Sequence, residues 1–377
     1  MTLDKKRILI WYWGRRGGGA YYTYKVTETL SSCSDIEVFL SLSNQNVLID
    51  KFNAFGLPAF HVNTYQGRFS ALLSILRITQ LRLAFQDFLL RNNIDIVYST
   101  MTHIWNPFLL SSLKKSSSKY LFTMHDALPH FGNIALISSY HKWQFTQEIS
   151  RADHVITLSN HVKSQLVSSY DYCPNNVSVI QHGVFDYNSP TCVSRKYPES
   201  KNFRLIFFGR ILPYKGLHLL LNAYQILKND FSNLELIIAG FGSLSPYRKK
   251  LRELCDVIID NRSIPDEEIL CLFQDAHLLV APYIEASQSG IITIAMGAAL
   301  PVVATPVGGL TEQVVHRKTG LITRDATSNA IETSIRELVT NKELYEKCSV
   351  EALKQSKNIL NWNNARDQLV RIFMNIK

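Results

Sequence analysis

The sequence from Ala281 to Glu312 reads APYIEASQSGIITIAMGAALPVVATPVGGLTE, and its pattern indicates the class of fold. The apolar run His277–Val280 before it predicts a buried parallel strand, and the small and apolar residues from Gly290 to Leu300 predict a tightly packed helix. Pro301 would end that helix, and Val302–Thr305 predicts the next strand. Strand, helix and strand in this order are typical of an α/β domain with a parallel sheet.

The polar turn after the first of these strands carries the chemistry of the stretch. Glu285 follows the strand end, and Ser287, Ser289 and Gly290 lie at the predicted helix start. A helix start offers unpaired N–H groups and a partial positive charge, which suit a phosphate, and a glycine lets a ligand approach the backbone. The alternative is that Glu285 is a solvated loop residue and that the serines are ordinary N-caps.

Length, charge and cysteine spacing limit the classes of function. A chain of 377 residues predicts about two domains, and a net charge of +9 favours anionic partners such as nucleotides, lipid head groups or nucleic acid. The six cysteines form no C-x-x-C pair, so zinc ribbons and thiol redox motifs are not expected, and free thiols indicate a reducing cytoplasm. We expect neither a signal peptide nor a spanning helix, and therefore a soluble or peripheral protein.

The first half opens like a nucleotide-binding α/β domain. Arg7–Trp13 predicts a strand, Gly14–Gly19 is a glycine-rich loop, and Ala20–Leu30 predicts a helix. The loop matches neither G-x-G-x-x-G nor a P-loop, and the alternative is a tight turn with two surface arginines. The basic amphipathic segment Phe69–Arg91 predicts a helix that lies either on the sheet or on an anionic membrane.

A histidine ends a later strand of this half. Leu113–Lys119 predicts a basic loop, Tyr120–Met124 predicts a strand, and His125 and Asp126 follow it directly. Histidine titrates near neutrality and hydrogen-bonds through both ring nitrogens, so this position suits a site. The alternative is a structural histidine that is satisfied by the backbone.

The pattern restarts after a polar segment, 187–202, which is the predicted linker. Phe203–Phe208 predicts a strand, and the loop that follows it holds Arg210 and Lys215 between two glycines and before a helix. Two cations at a helix start form a diphosphate clamp, whereas the alternative is two solvated basic residues. The tail is predicted to be helical and to end in a packed helix over Trp362–Ile376.

Several motifs together resemble those of one family. FFGRILPYKG, IIAGFGS, YIEASQSGI and PVVATPVGGLTE in the second half, and TMHD, ADHVITLS and IQHGVFD in the first, are similar to motifs of the retaining GT-B glycosyltransferases of glycosyltransferase family 4, also called group 1. The resemblance covers nearly the whole chain and is strongest from Phe203 to Ile322.

The resemblance implies a GT-B fold, α/β with two Rossmann-like domains facing across a cleft. Residues 1–186 would form the acceptor-binding domain, with a C-terminal helix over about 361–377 packing back on it, and 203–360 would form the donor-binding domain. The implied reaction transfers a sugar from a nucleotide-diphosphate-sugar to an acceptor hydroxyl with retention of configuration. No metal and no cofactor are expected, and the sequence has no D-x-D motif.

The resemblance also assigns roles to catalytic residues. Arg210 and Lys215 would neutralise the donor diphosphate as it leaves, which stabilises charge where it develops. Glu285 would hydrogen-bond hydroxyls of the donor sugar, and His125 would lie near the transferred sugar.

The implied donor site is larger than these four residues. The backbone of Ser289, Gly290 and Ile291 would meet the phosphates, and Gly18 and Gly19 would leave room for donor and acceptor. Further donor-site positions are Gly209, Gly242 and Thr293. Thr293 stands where the family has the second glutamate of E-x7-E, which binds ribose, so a single hydroxyl contact is expected there.

The expected acceptor is a glycan or a lipid-linked glycan in bacterial surface polysaccharide synthesis. Tyr21, Tyr22 and Trp105 would stack on its sugar rings, and basic segments would hold a lipid diphosphate or an anionic membrane at its cytoplasmic face. A GT-B nucleotide-sugar epimerase and a degenerate non-catalytic sugar-nucleotide binder are the alternatives. No RNA-binding signature is present, so no nucleic acid partner is expected.

Overall fold

The computed structural model describes residues 5–64, 78–128, 135–185, 193–199 and 202–376. It divides into two compact units. Of the described residues, the first unit comprises those from 5 to 128, 135–181 and 362–376, and the second comprises those from 182 to 361.

Among its described residues the first unit contains seven strands and six helices that precede the second unit along the chain. A further helix of the first unit follows the second unit. The strands are β1 (Lys6–Tyr12), β2 (Ile36–Ser43), β3 (Ala59–Val62), β4 (Ile96–Ser99), β5 (Lys119–Met124), β6 (His154–Thr157) and β7 (Val177–Val179). The helices are α1 (Gly18–Ser31), α2 (Ile49–Asn53), α3 (Ile78–Arg91), α4 (Asn106–Ser116), α5 (Ala135–Arg151) and α6 (Asn160–Tyr170), and a 3₁₀ turn covers Pro174–Asn176.

These strands form one parallel sheet in the order β3-β2-β1-β4-β5-β6-β7. Residues Ile8 to Tyr12 of β1 are at most 2% exposed, because helices cover both faces of a parallel sheet and require continuous apolar strands. The chain order reverses between β1 and β4, where the crossovers go to opposite sides. Such a switch point opens a crevice at the carboxyl ends of the two strands.

The second unit repeats this plan. Its strands are β8 (Phe203–Phe208), β9 (Leu234–Ala239), β10 (Val257–Asp260), β11 (Leu278–Ala281), β12 (Val302–Ala304) and β13 (Gly320–Ile322). Its helices are α7 (Leu217–Asp230), α8 (Arg248–Arg252), α9 (Asp266–Asp275), α10 (Gly290–Gly297), α11 (Leu310–Gln313), α12 (Ser328–Thr340) and α13 (Lys342–Asn358), with 3₁₀ turns at Pro213–Lys215 and Ser245–Tyr247. The parallel order β10-β9-β8-β11-β12-β13 places the switch point between β8 and β11.

The last helix, α14 (Trp362–Asn375), returns to the first unit. Its buried stripe is Ala365, Leu369 and Phe373. The Phe373 ring lies 5.6 Å from that of Tyr98 on β4. An amphipathic helix of this kind is stable only where its apolar face is covered, and the first unit covers it here.

The unit boundary lies earlier than the predicted linker. It falls after Gln181, and residues 193–199 of the predicted segment 187–202 belong to the second unit. Arg195 explains this placement, because its guanidinium donates hydrogen bonds to the carbonyl oxygens of Phe273 at 2.7 Å, Ala276 at 2.5 Å and Ala298 at 2.9 Å.

Two local predictions are contradicted, and a third falls only partly within the described residues. The predicted basic loop Leu113–Lys119 is wrong, because α4 continues to Ser116 while Leu113 is fully buried, and Lys119 already begins β5. The helix predicted up to Leu300 ends at Gly297, where Ala299 adopts a left-handed φ of 54°. Of the predicted segment Phe69–Arg91, residues 78–91 form α3, and 69–77 lie outside the described residues.

No helix in the described ranges has both the length and the apolar composition that crossing a bilayer requires.

Candidate functional site

At the switch point of the second unit, the loops that follow β8 and β11 are joined directly. The two strands pair in parallel, with Leu205 opposite Leu278, so their carboxyl ends emerge side by side. The backbone N–H of Ile284 donates to the carbonyl oxygen of Tyr214 at 2.8 Å. This bond fixes the loop that carries Arg210 and Lys215 against the turn that carries Glu285.

Glycines make this close approach possible. Gly216 has a φ of 67°, and a Cβ there would overlap the carbonyl oxygen of Pro282. Gly209 has a φ of 109°, and a Cβ at the neighbouring Gly240 would overlap the Gly209 carbonyl oxygen. A Cβ at Gly242 would come within 2.5 Å of the Ile211 carbonyl oxygen. Gly240 and Gly242 are therefore required by loop-to-loop packing inside the unit, and Gly209 is required by its positive φ.

The two cations of the predicted clamp differ in exposure but are both unpaired with described carboxylates. Arg210 is exposed, and Lys215 is half-buried with its Nζ 3.9 Å from the ring centroid of the buried Tyr283. Among the described residues, neither Arg210 nor Lys215 forms an ion pair. The Tyr283 ring face holds the Lys215 ammonium by a cation–π contact while leaving its charge available to an anion.

The turn before α10 is held by a glutamine that the sequence did not single out. The Ser289 N–H donates to Gln313 Oε1 at 2.8 Å, and Gln313 Nε2 donates to the Ser289 carbonyl oxygen at 3.1 Å. The Ser289 hydroxyl lies 3.2 Å from the Tyr283 hydroxyl. The Ser289 N–H is thus taken, and in the described part of the chain the Gly290 and Ile291 N–H groups are the ones at this helix start without an acceptor.

Two of the predicted donor-site residues face the protein interior. A Cβ at Gly290 would lie 3.3 Å from the Phe185 ring and 3.7 Å from His182 Nε2, so this glycine makes room for neighbours in its own unit. Thr293 is fully buried, and its hydroxyl donates to the Gly290 carbonyl oxygen at 2.8 Å. The Thr293 hydroxyl is therefore not exposed to make the contact with ribose that the sequence predicts.

At the switch point of the first unit, the last two glycines of the predicted loop, Gly18 and Gly19, form the first residues of α1. A Cβ at Gly18 would meet open space, whereas one at Gly19 would overlap the Met101 sulfur and lie 3.1 Å from the Tyr12 hydroxyl. The Gly19 carbonyl oxygen accepts from the Thr23 hydroxyl at 2.7 Å. Gly18 leaves space beside the backbone, and the space beside Gly19 is filled by Met101.

His125 lies at the carboxyl end of β5 in the same unit. Its Nε2 is 2.9 Å from the carbonyl oxygen of Thr100, and a carbonyl only accepts, so the ring proton is on Nε2 and Nδ1 is an acceptor. Burial lowers the pKa of His125 below its usual value, although the Thr100 bond acts in the opposite direction. The ring is therefore neutral at neutral pH and able to accept a hydrogen bond from a hydroxyl.

The predicted aromatic stacking residues are buried. Tyr21, Tyr22 and Trp105 are 8%, 3% and 4% exposed. The first two lie within α1, and the Trp105 ring packs edge-on against Trp13 at 6.3 Å. The prediction that these rings stack on an acceptor sugar is wrong, because their faces are already covered by the core of the first unit.

A buried acid that the sequence did not reveal lies behind this site. Glu148 on α5 is fully buried, and burial raises its pKa to about 7. It accepts hydrogen bonds from the Tyr120 hydroxyl at 2.7 Å, from Gln144 Nε2 at 2.8 Å and from Asn106 Nδ2 at 3.3 Å. The available sequence signal was a lone carboxylate between Phe145 and Ile149.

Within the described ranges, no three side chains of His, Cys, Asp or Glu come together in an arrangement that would hold a metal ion.

Comparison with known proteins gives two family matches that together cover most of the chain. Residues 16–185 match the family described as Glycosyltransferase Family 4, and residues 193–355 match the family described as Glycosyl transferases group 1.

Individual relatives are distant in sequence. The glycosyltransferase MJ1607 of Methanocaldococcus jannaschii is 24% identical over 58% of this chain, which spans 59% of that protein's length. The phosphatidylinositol N-acetylglucosaminyltransferase GPI3 subunit of Saccharomyces cerevisiae is 22% identical over 88% of this chain and 73% of its own. Anabaena Alr3699/HepE, solved in complex with UDP and glucose, superposes with a TM-score of 0.75 at 17% identity, over 98% of this chain and 99% of that one.

The likeness to HepE establishes the fold, and the two family matches establish the family. The chain belongs to the group 1 glycosyltransferases of the GT-B fold.

Proposed function

We propose that this protein transfers a sugar from a nucleotide-diphosphate-sugar to an acceptor hydroxyl, with retention of configuration and without a metal ion. The observation that carries the proposal is the pair of cations, Arg210 and Lys215, on the loop after β8 that is hydrogen-bonded to the turn before α10, where neither cation is ion-paired with a described residue. Such an arrangement recognises a diphosphate.

The second unit would act on the donor. As the bond between the anomeric carbon and the phosphate oxygen breaks, Arg210, Lys215 and the Gly290 and Ile291 N–H groups stabilise the negative charge that develops on the diphosphate. Glu285 accepts hydrogen bonds from hydroxyls of the donor sugar and so orients it. The acceptor oxygen forms the new bond to the anomeric carbon, and its proton passes to the leaving phosphate.

The first unit would bind the acceptor. Gly18 leaves open space at the carboxyl edge of its sheet, and the Nδ1 of His125 accepts a hydrogen bond from a hydroxyl of the sugar. A neutral imidazole suits this role, because an imidazolium has no acceptor and would oppose the positive charge that forms at the anomeric carbon.

A thermal-shift screen against UDP, GDP, ADP, CMP and their sugar conjugates tests the donor site, beginning with UDP-glucose because HepE was solved with UDP and glucose. A ligand that binds the folded state raises the unfolding midpoint. We expect a shift with one nucleoside diphosphate that is lost in Arg210→Ala and kept in Arg248→Ala, an exposed arginine of the same unit. No shift with any nucleotide would refute the donor site.

The acceptor is proposed to be a glycan or lipid-linked glycan of bacterial surface polysaccharide synthesis, reached at the cytoplasmic face of the membrane. The net charge of +9 supports contact with anionic lipid. Co-sedimentation with phosphatidylglycerol vesicles, and none with phosphatidylcholine vesicles at the same ionic strength, is the expected result. Equal recovery in both supernatants would remove the membrane part of the proposal.

A non-catalytic sugar-nucleotide binder is the second candidate, and the burial of Thr293 favours it, because the ribose contact of the family is missing there. The two candidates differ in product formation. Transfer that requires an acceptor and is lost in Glu285→Ala would exclude the binder, and it would also exclude an epimerase, which needs no acceptor.

A further inference from the structure

The proposed mechanism does not use the buried cluster around Glu148. This carboxyl group is fully buried in the first unit, and three donors converge on it from three elements: Tyr120 on β5, Asn106 on α4 and Gln144 on α5. A buried carboxyl is costly unless it is hydrogen-bonded in this way, so its presence in a core needs a reason.

Both amides of the cluster connect Glu148 to the loop after β4, residues Ser99–His103, which we call the β4 loop. Asn106 Nδ2 also lies 3.2 Å from Ser99 Oγ, and the Ser99 hydroxyl donates to the Met101 carbonyl oxygen at 3.1 Å. Gln144 Nε2 also donates to the His103 carbonyl oxygen at 3.0 Å. The two ends of the β4 loop are therefore held by side chains that Glu148 orients.

The β4 loop in turn fixes the groups at the carboxyl edge of this sheet. The Thr100 carbonyl oxygen accepts from His125 Nε2 at 2.9 Å, and the Thr100 hydroxyl lies 2.6 Å from that of Thr23 on α1. The Met101 side chain fills the space beside Gly19. Movement of this loop would reorient the His125 ring and alter the wall next to the glycine loop.

We propose that Glu148 is a positioning residue for sugar transfer: as a carboxylate it holds the Asn106 and Gln144 amides, these hold the β4 loop, and the loop sets the direction of His125. The inference rests on the proposed function through the role of His125. It assigns to a residue remote from any ligand the task of orienting one that contacts the sugar.

The bonds around Glu148 describe its ionised form. All three partners donate to it, and Tyr120 and Asn106 both donate to Oε2, so a proton on that oxygen would displace a donor. Asn106 Oδ1 and Gln144 Oε1 are buried and have no hydrogen-bond partner among the described residues, so a protonated Glu148 would turn to them as acceptors. Protonation therefore rotates an amide, and that amide also holds the β4 loop.

Neighbouring groups do not titrate in the same range. Burial raises the pKa of Tyr120 well above its usual value, and burial together with the charge of Arg15 lowers the pKa of His103 to about 3. Burial also lowers the pKa of His125, so its ring is neutral near pH 7. Since burial raises the pKa of Glu148 to about 7, a change in the β4 loop near neutrality would come from Glu148.

The decisive experiment follows the ring nitrogens of His125 by NMR from pH 5 to 9 in the full-length protein, assigned from their absence in His125→Asn. In the wild type we expect a shift with a midpoint near 7 while the ring keeps the pattern of the neutral Nε2–H form. Glu148→Gln should abolish that shift, and Glu37→Gln, an exposed carboxylate of the same unit, should keep it. An unchanged shift in Glu148→Gln, or none in the wild type, would overturn the proposal.

Kinetics supply the second readout. At pH 8 Glu148→Gln should lower kcat by roughly tenfold or more, as misplaced groups do, and leave the nucleotide thermal shift of the second unit unchanged. The pH dependence of kcat near 7 should also disappear. If no nucleotide-sugar binds the wild type, the proposed function fails, whereas the NMR titration still decides whether Glu148 holds the loop.

Discussion

The two sheets follow the same plan, but the loops at their switch points carry their polar groups differently. In the first unit, Thr100 is hydrogen-bonded to both His125 and Thr23, and the buried Glu148 orients amides that hold the β4 loop. In the second unit, Arg210 and Lys215 lie on the loop after β8, and no carboxylate in the described ranges forms an ion pair with either of them. Topology alone provides a crevice, and the loop residues decide whether it is neutral or positive.

This difference indicates which site tolerates change. Cations that face an incoming anion act at full strength only when nothing neutralises them beforehand, so each one is individually important. A hydrogen-bonded network distributes its effect over several residues, and the loss of one member is felt through the others. The following predictions test that contrast.

The largest expected effect is that of Lys215→Ala. Removing a charge that stabilises the leaving group should lower kcat about 10²–10³-fold. Lys249→Ala, which removes an exposed lysine of the same unit, should leave kcat within about twofold. Steady-state transfer assays on both variants check this, and equal losses in the two would mean that only overall charge matters.

Next is Gly216→Ala, which separates close packing from backbone conformation. Gly216 and Gly56 have nearly the same φ, 67° and 64°, but a Cβ meets the Pro282 oxygen at the first and open space at the second. Gly56→Ala should cost only the left-handed conformation, about 1–2 kcal/mol. Gly216→Ala should cost about 3 kcal/mol or more, since the clash adds to that conformational cost. Urea unfolding of both variants tests the difference, and equal costs would show that the β8 and β11 loops separate easily.

Glu148 should make the stability of the first unit depend on pH in the direction opposite to most carboxylates. Its pKa is raised from 4.5 to about 7, so the folded state binds more protons than the unfolded state between these values, and stability falls as the pH rises through them. Between pH 5 and pH 8 this group should remove about 2.5 kcal/mol. Unfolding at several pH values should show a shallower decline in Glu148→Gln, and an identical decline would place the titrating group elsewhere.

The smallest expected effect is that of Thr293→Val. The Thr and Val side chains have similar shapes, and the Thr293 hydroxyl bonds only to the Gly290 carbonyl oxygen. The free energy of unfolding should therefore fall by about 1 kcal/mol. The Kd for the donor nucleotide should stay unchanged, because the side chain is buried. A tenfold higher Kd for the nucleotide would instead show that Thr293 contacts ribose, as the sequence predicted.

The second unit was the easier one to predict. From Phe203 to Ile322 the sequence alternates apolar runs with turns that contain glycine, and β8 and β12 begin where those runs predict. The pairing of β8 with β11 places Arg210, Lys215 and Glu285 at one edge, as local pattern and the parallel-sheet rule together imply.

Features that depend on distant contacts escaped the sequence. The Glu148 cluster joins residues 28 and 42 positions apart, and no local pattern encodes them. The inward rotation of Thr293 follows from the helix face on which it lies, and the burial of Trp105 follows from a core assembled by several strands. Periodicity assigns elements, whereas three-dimensional packing decides which side of each element meets solvent.

The return of α14 to the first unit has a consequence for biosynthesis. Trp362 packs against Tyr22 at 5.6 Å and Phe373 against Tyr98, so residues before and after the second unit along the chain pack together in the first unit. During translation the ribosome completes every residue of the second unit before it makes this helix. Until then the apolar surface around Tyr98 in the first unit stays uncovered. A nascent chain stalled before Phe373 would therefore be a substrate for chaperones.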